Sequence, residues 1–148
     1  NPDERVFPAV QRNLDVQALP YELRHCPGRE DYTRLVQREY EAGQPFILVE
    51  QDICPWPGAL AELWDCDCAW GGFGYLWDGT LGAWLGCTKL DPRRLPKLTG
   101  WTGAQPNRPD FDGGPDAFLL DSLRKAGFEY HWHTPGVVNL HTGHLRPL

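Results

Sequence analysis

The chain contains no methionine, no clustered basic stretch, and no apolar run near the roughly 20 residues that cross a bilayer. The missing run leads us to expect no membrane span, and the amino-terminal end lacks the charged and apolar regions of a signal peptide. With a net charge of -6 and scattered Lys and Arg, there is no basic field to grip a phosphate backbone. Nucleic acid is therefore not indicated as a partner, although charge alone leaves it open as an acceptor. The five cysteines, Cys26, Cys54, Cys66, Cys68 and Cys87, are odd in number and lack the dense spacing of a disulfide scaffold. A reducing, cytoplasmic compartment is the expectation. Cys66-Asp67-Cys68 resembles half of a zinc site, but no second pair follows at finger spacing, so buried structural thiols are expected. There is no internal repeat.

What is present suffices for one core: 148 residues, 41% of them hydrophobic, with no composition shift. We expect a single domain over residues 1–148. The start at Asn1, a few residues before a first apolar run, adds the expectation of a minimal or amino-terminally trimmed domain.

The most informative stretch is residues 45–57, PFILVEQDICPWP, where an apolar run of strand length ends in Glu50 and Asp52. Phe46, Ile47, Leu48 and Val49 read as a strand buried on both faces, as in parallel sheets under helices. Ligands in open α/β sheets bind outside the carboxyl ends of strands, which is where the two acids stand. In an extended segment, side chains at i and i+2 point the same way, so two oxygen ligands converge on one divalent cation. The bland alternative is an acidic pair in a solvated turn or a loose helix cap.

Around this stretch, residues 6–10 (VFPAV) are expected as a first strand, limited by Pro8 to an edge, and residues 19–25 as a second. Residues 31–42 place Tyr32, Leu35, Val36 and Tyr40 at helical spacing, with Gly43 as the stop, giving strand, helix, strand and hence a parallel crossover. A short helix is expected from Pro57 to about Cys66. Residues 71–87 read as a hairpin turning at Asp78-Gly79, with Phe73, Tyr75 and Trp77 on one face, packing on helices or offering rings to a ligand. Residues 90–114 read as a long functional loop, residues 116–126 as a helix capped by Gly127, and the last segments as a strand pair. In the first of these, Glu129, His131 and His133 share a face.

Glu50, Asp52 and a carboxyl-terminal histidine, His141 first, would suit Mn²⁺ or Mg²⁺. Such an ion neutralises a departing diphosphate as a Lewis acid. A carboxylate must then take the proton of an attacking hydroxyl, and Asp112, Asp116 and Asp121 are the candidates. A carboxylate at a helix start, as at Asp116, is also a favourable partner of the helix dipole.

The segments ILVEQDICPWPGAL, AWGGFGY, LGCTK and LLDSLRKAGFEYHWHTPGVVNLH resemble small bacterial and phage glycosyltransferase-like proteins of the GT-A superfamily, over roughly residues 31–141. The resemblance implies an α/β, Rossmann-like GT-A domain with a mainly parallel central sheet flanked by helices, plus a β-hairpin. It also implies a nucleotide-diphosphate-sugar donor, Mn²⁺ or Mg²⁺, and an inverting transfer to a hydroxyl. By position, Glu50 and Asp52 resemble the D-x-D pair that binds metal and diphosphate, Asp116 or Asp121 the catalytic base, and His141 the histidine completing the metal shell. Gly71 and Gly72, with the hairpin, resemble the region shaping the acceptor side, and with Lys89 they join the cofactor-binding candidates. Glu50 departs from the motif by one methylene.

Two other classes compete. A carbohydrate-binding module would present Phe73, Tyr75, Trp77 and Trp84 to sugar, and a zinc hydrolase would use His131, His133 and a carboxylate.

Overall fold

The computed structural model describes residues 8–17, 19–77, 80–82, 85–101, 104–105, 108–112, 114–133, 137–139 and 146–147, with side chains described in 8–17, 19–74, 85–101 and 114–133. Helix α1 spans Pro8–Asp15, where the reading of residues 6–10 expected a strand. Pro8 stands at the first helical position, where its fixed φ and missing N–H cost nothing, and Val10 and Leu14, four apart, share the buried face. Residues 19–25 form no strand either, and 20–25 are exposed. Helix α2, Arg29–Ala42, follows with Glu30 and Asp31 at its positive end and Gly43, at φ 80°, as its stop.

Strand β1, Phe46–Val49, leads by a turn into β2, Ile53–Pro55, and then α3, Ala59–Asp65. Next come β3 (Trp70–Phe73), β4 (Tyr75–Trp77), β5 (Thr80–Gly82) and β6 (Cys87–Leu90). A 3-10 turn at Pro92–Arg94 and the ribbon β7 (Ala104–Gln105) and β8 (Arg108–Asp112) occupy the stretch expected as a loop. Helix α4, Gly114–Lys125, precedes β9 (His131–His133), β10 (Val137–Asn139) and β11 (Arg146–Pro147).

The main sheet has the order β1-β6-β3-β9. β6 is antiparallel to both β1 and β3, and only β3 with β9 is parallel. The fold is thus mixed α/β with a partly parallel, open sheet, which corrects the expected mainly parallel one. The crossover needed a strand before α2, and among the described residues there is none. β1 is also an edge strand of intermediate burial, whereas the fully buried strands are β3 and β6, WGGF and CTKL. β4 pairs with β5 with Trp77 opposite Thr80, as the hairpin reading expected, while Asp78 and Gly79 lie outside the described residues. The last segments do not pair with each other: β9 joins the main sheet and β10 joins β2.

One sheet face carries α1 and α3 through Val10, Leu14, Leu60, Leu63, Phe73 and Cys87, with Ile47 and Val49 against them. The other carries α2 and α4 through Val36, Tyr40, Trp70, Leu90, Leu119 and Leu123, with Phe46 and Leu48. α4 ends in a Schellman motif: the Gly127 N–H donates to Arg124 O and the Phe128 N–H to Leu123 O, with Gly127 at φ 89°.

Two glycines test different constraints. A Cβ at Gly72 would sit 2.2 Å from Cys87 O and 2.5 Å from Tyr130 Oη, whereas at Gly127 it would meet nothing within 4 Å. Gly72→Ala is expected to cost about 3 kcal/mol or more through overpacking, and Gly127→Ala about 1 kcal/mol through its left-handed backbone. Urea unfolding of both variants measures the difference, and equal losses would contradict this assignment.

Candidate functional site

Glu50 follows β1 directly, and its N–H donates to Gly86 O at 2.9 Å, extending the β1–β6 ladder by one residue. Gln51 and Asp52 are then the central residues of a turn closed by Ile53 N–H to Glu50 O at 3.1 Å. The two acids are therefore not on one extended face, as i, i+2 alternation expected. The turn keeps Asp52 near enough for its charge to act on Glu50.

α2 and α4 complete the locus. Tyr32, in the first turns of α2, donates its hydroxyl to Glu50 Oε1 at 2.8 Å. Asp116 stands in the first turn of α4 and accepts the Leu85 N–H at Oδ2, 3.1 Å away. Arg29 reaches the same corner: a Cβ on Gly114, the first residue of α4, would lie 3.3 Å from Arg29 Cγ. Asp52 is 8% exposed, unusual for a carboxylate that merely decorates a turn.

The electrostatics follow from this crowding. Burial pushes the Glu50 carboxyl up to about 8, with the negative charge of Asp116 adding to the rise, the Tyr32 hydroxyl opposing it, and Asp52 adding a further increment. Asp116 is raised by burial too, opposed by the backbone N–H groups of Leu85 and of Asp116 itself and by the Arg29 charge. Three acids thus share one field at the carboxyl end of β1. Such a group holds a proton or a cation in preference to full ionisation.

The other expected residues are distributed elsewhere. Asp121 is exposed on α4 and pairs with Lys125 at 2.8 Å, away from this corner's partners. Asp112 closes β8, with its side chain outside those described. β10 runs antiparallel to β2 with Asn139 opposite Ile53, heading toward Asp52, but His141 lies outside the described residues. Gly71 and Gly72 line up with His131 and Trp132 of β9 rather than with Glu50. Lys89 is buried, its ammonium donating to Trp64 O at 2.8 Å and Cys66 O at 2.6 Å. Phe73 is 1% exposed and belongs to the core, which removes it from any sugar platform, and the side chains of Tyr75, Trp77 and Trp84 are outside those described.

No family model matches this chain, and neither a curated protein nor a solved structure is significantly similar to it. Geometry and chemistry alone bear on the site. Reading the sequence did not single out Tyr32 or Arg29 as site residues. Their signal was position, in the helix delivering the chain to β1.

The raised Glu50 carboxyl carries a sign for stability. Above the ordinary value of 4.5 the unfolded chain has released this proton while the folded chain keeps it up to about 8. Stability from this group is therefore complete below pH 4.5 and is lost as pH rises to 8, at a limiting slope of about 1.4 kcal/mol per pH unit. Urea unfolding in chelator is expected to show wild type losing stability relative to Glu50→Gln between pH 5 and 8. Parallel pH profiles would refute the buried-proton assignment.

Proposed function

We propose that the protein is a metal-dependent, inverting glycosyltransferase of GT-A type, using a nucleotide-diphosphate-sugar and a hydroxyl acceptor. The observation that carries this reading is that Glu50 and Asp116 are held by adjacent residues at the end of β1, Glu50 N–H on Gly86 O and Asp116 Oδ2 on Leu85 N–H, with Asp52 in the turn that follows. The resemblance of ILVEQDICPWPGAL and its companions to GT-A-superfamily proteins supplies the substrate class. The donor set fits the ion: the carboxylate oxygens of Glu50 and Asp52, with Asp116 nearby, suit Mn²⁺ or Mg²⁺. Glu50 and Asp52 would hold it, with His141 as a further ligand. When bound, it would supply Lewis-acid neutralisation of the diphosphate.

The chain's own residues then divide the work. Asp116 is the base in preference to Asp121, because it stands beside the acids with burial raising its carboxyl, while Asp121 is spent on Lys125. The acceptor oxygen bonds to the anomeric carbon as the bond to the diphosphate oxygen breaks, and the hydroxyl proton passes to the Asp116 carboxylate. Arg29 favours the ionised form of that base. Tyr32 fixes Glu50 through its hydrogen bond.

A thermal-shift screen of nucleotide-sugars with and without Mn²⁺ tests the proposal. At 100 times Kd a ligand of the folded state adds about 2.7 kcal/mol, or roughly 5–10 °C for a chain of this size. The shift should require both Mn²⁺ and a diphosphate, shrink below pH 8 as the proton competes at Glu50, and disappear in Asp52→Asn. No shift with any common nucleotide, or an undiminished one in Asp52→Asn, would contradict it.

A further inference from the structure

A second cluster stands on the opposite face of the sheet. The chain leaving α3 places Cys66 beside the edge strand β9, and one ligand atom from each of Cys66, His131 and His133 lies within 4.8 Å of the other two. The two imidazoles meet edge to face, centroids 4.8 Å apart. In the register of β3 with β9, Gly71 faces His131 and Phe73 faces His133, and the Phe73 ring packs on His133 at 5.4 Å. Phe73 belongs to the α1/α3 side of the core, whereas Tyr32, the partner of Glu50, packs on the α2/α4 side. The cluster is therefore separate from the acidic corner.

One detail points to a ligand. The His133 side chain is only 7% exposed, and its Nε2 is buried with no hydrogen-bond partner. A buried, unpaired ring nitrogen is costly unless something fills its place. Its other nitrogen, Nδ1, lies 3.6 Å from Glu62 Oε1. A small side-chain rotation would close this to the hydrogen bond by which a carboxylate orients an imidazole whose far nitrogen binds a metal. Around Cys66, the buried Lys89 ammonium donates to the Cys66 carbonyl at 2.6 Å, which fixes the backbone that carries the thiol. Glycine at position 71 makes the approach possible: a Cβ there would lie 2.6 Å from His131 O and 3.1 Å from Cys68 Sγ.

We infer that Cys66, His131 and His133 form a Zn²⁺ site joining the end of α3 to the edge strand β9. Thiolate and imidazole donors select zinc over the hard cations that suit the acidic corner. A tetrahedral zinc with about 2.3 Å to sulfur and 2.1 Å to nitrogen holds its ligand atoms about 3.5 Å apart. The three atoms reach that spacing by side-chain adjustments of about an ångström. His131 is exposed, giving the ion a way in, and three protein ligands leave a fourth position for water. The sequence reading of a zinc site from His131, His133 and a carboxylate is altered in one respect: the third ligand is sulfur, and the carboxylate of Glu62 stands behind His133.

The test is metal content after purification, followed by Co²⁺ titration of the chelator-treated full chain. One equivalent of zinc and a thiolate-to-cobalt charge-transfer band are expected. Cys66→Ser and His131→Ala should each lower affinity at least about 100-fold, the upper range for loss of a mere outer-sphere partner. His131→Ala is the control for folding, since that side chain is exposed, and far-ultraviolet circular dichroism should be unchanged. Asp52→Asn should keep the cobalt band, and Cys66→Ser should keep any Mn²⁺-dependent nucleotide shift, so the two metal assignments fail independently. Metal-free protein giving no cobalt band, or a band that persists in Cys66→Ser, would overturn the inference.

Discussion

The constraint on which the rest turns is the confinement of Glu50 and Asp116 in a corner where both cannot ionise without a counter-charge. Asp116 is favoured locally by the first turn of α4, but its meeting with Glu50 is set by long-range packing. Glu50 is carried in by the β1–β6 ladder, and Asp116 by α4, which is pressed on the sheet by Leu119 and Leu123 against the cluster that includes Phe46 and Leu48. Burial of these apolar side chains, about 1.5–3 kcal/mol each, opposes the repulsion that the packing creates. Arg29 and the Leu85 N–H moderate that repulsion at Asp116, and Tyr32 at Glu50.

The sheet separates two kinds of donor chemistry. On the α2/α4 face the available atoms are carboxylate oxygens. On the α1/α3 face they are a thiol and two imidazoles, with a buried ammonium beneath. Hard and borderline cations would sort between them without any need for size selection. The free thiols elsewhere show how local this is. Cys87, in the core, is pushed by burial up to about 12, where it acts as a small apolar side chain.

Several elements were legible in the sequence because one signal dominated them. α2 and α4 have periodic apolar faces and a glycine at each carboxyl end, and both helices formed about where the pattern put them. β1 was visible as FILV, and the β4–β5 pairing was visible from the Asp-Gly pair. The topology was not. β3 and β6, the buried strands of the sheet, are WGGF and CTKL, and their glycines, threonine and lysine hide them from any search for apolar runs. Lys89 is tolerated there only because two backbone carbonyls receive its ammonium, a satisfaction that depends on where α3 ends. VFPAV misled in the opposite way, since a short apolar run suggested a strand while Pro8 and the Val10–Leu14 spacing favoured a helix start. At the acidic corner, Glu50, Asp52 and Asp116 were singled out from type and position, whereas Tyr32 and Arg29 depend on long-range packing. Cys66 and His131 with His133 were each noticed. Their meeting needed the β3–β9 register.

The most direct measurement is a carboxyl-carbon NMR titration of Glu50 in wild type and in Asp116→Asn, without metal. A midpoint near 8 that falls when Asp116 loses its charge is expected, since that charge adds to the rise that burial produces. A midpoint near 4.5 in both proteins would show that Glu50 is an ordinary solvated carboxylate, and the acidic corner would then have no chemistry to offer.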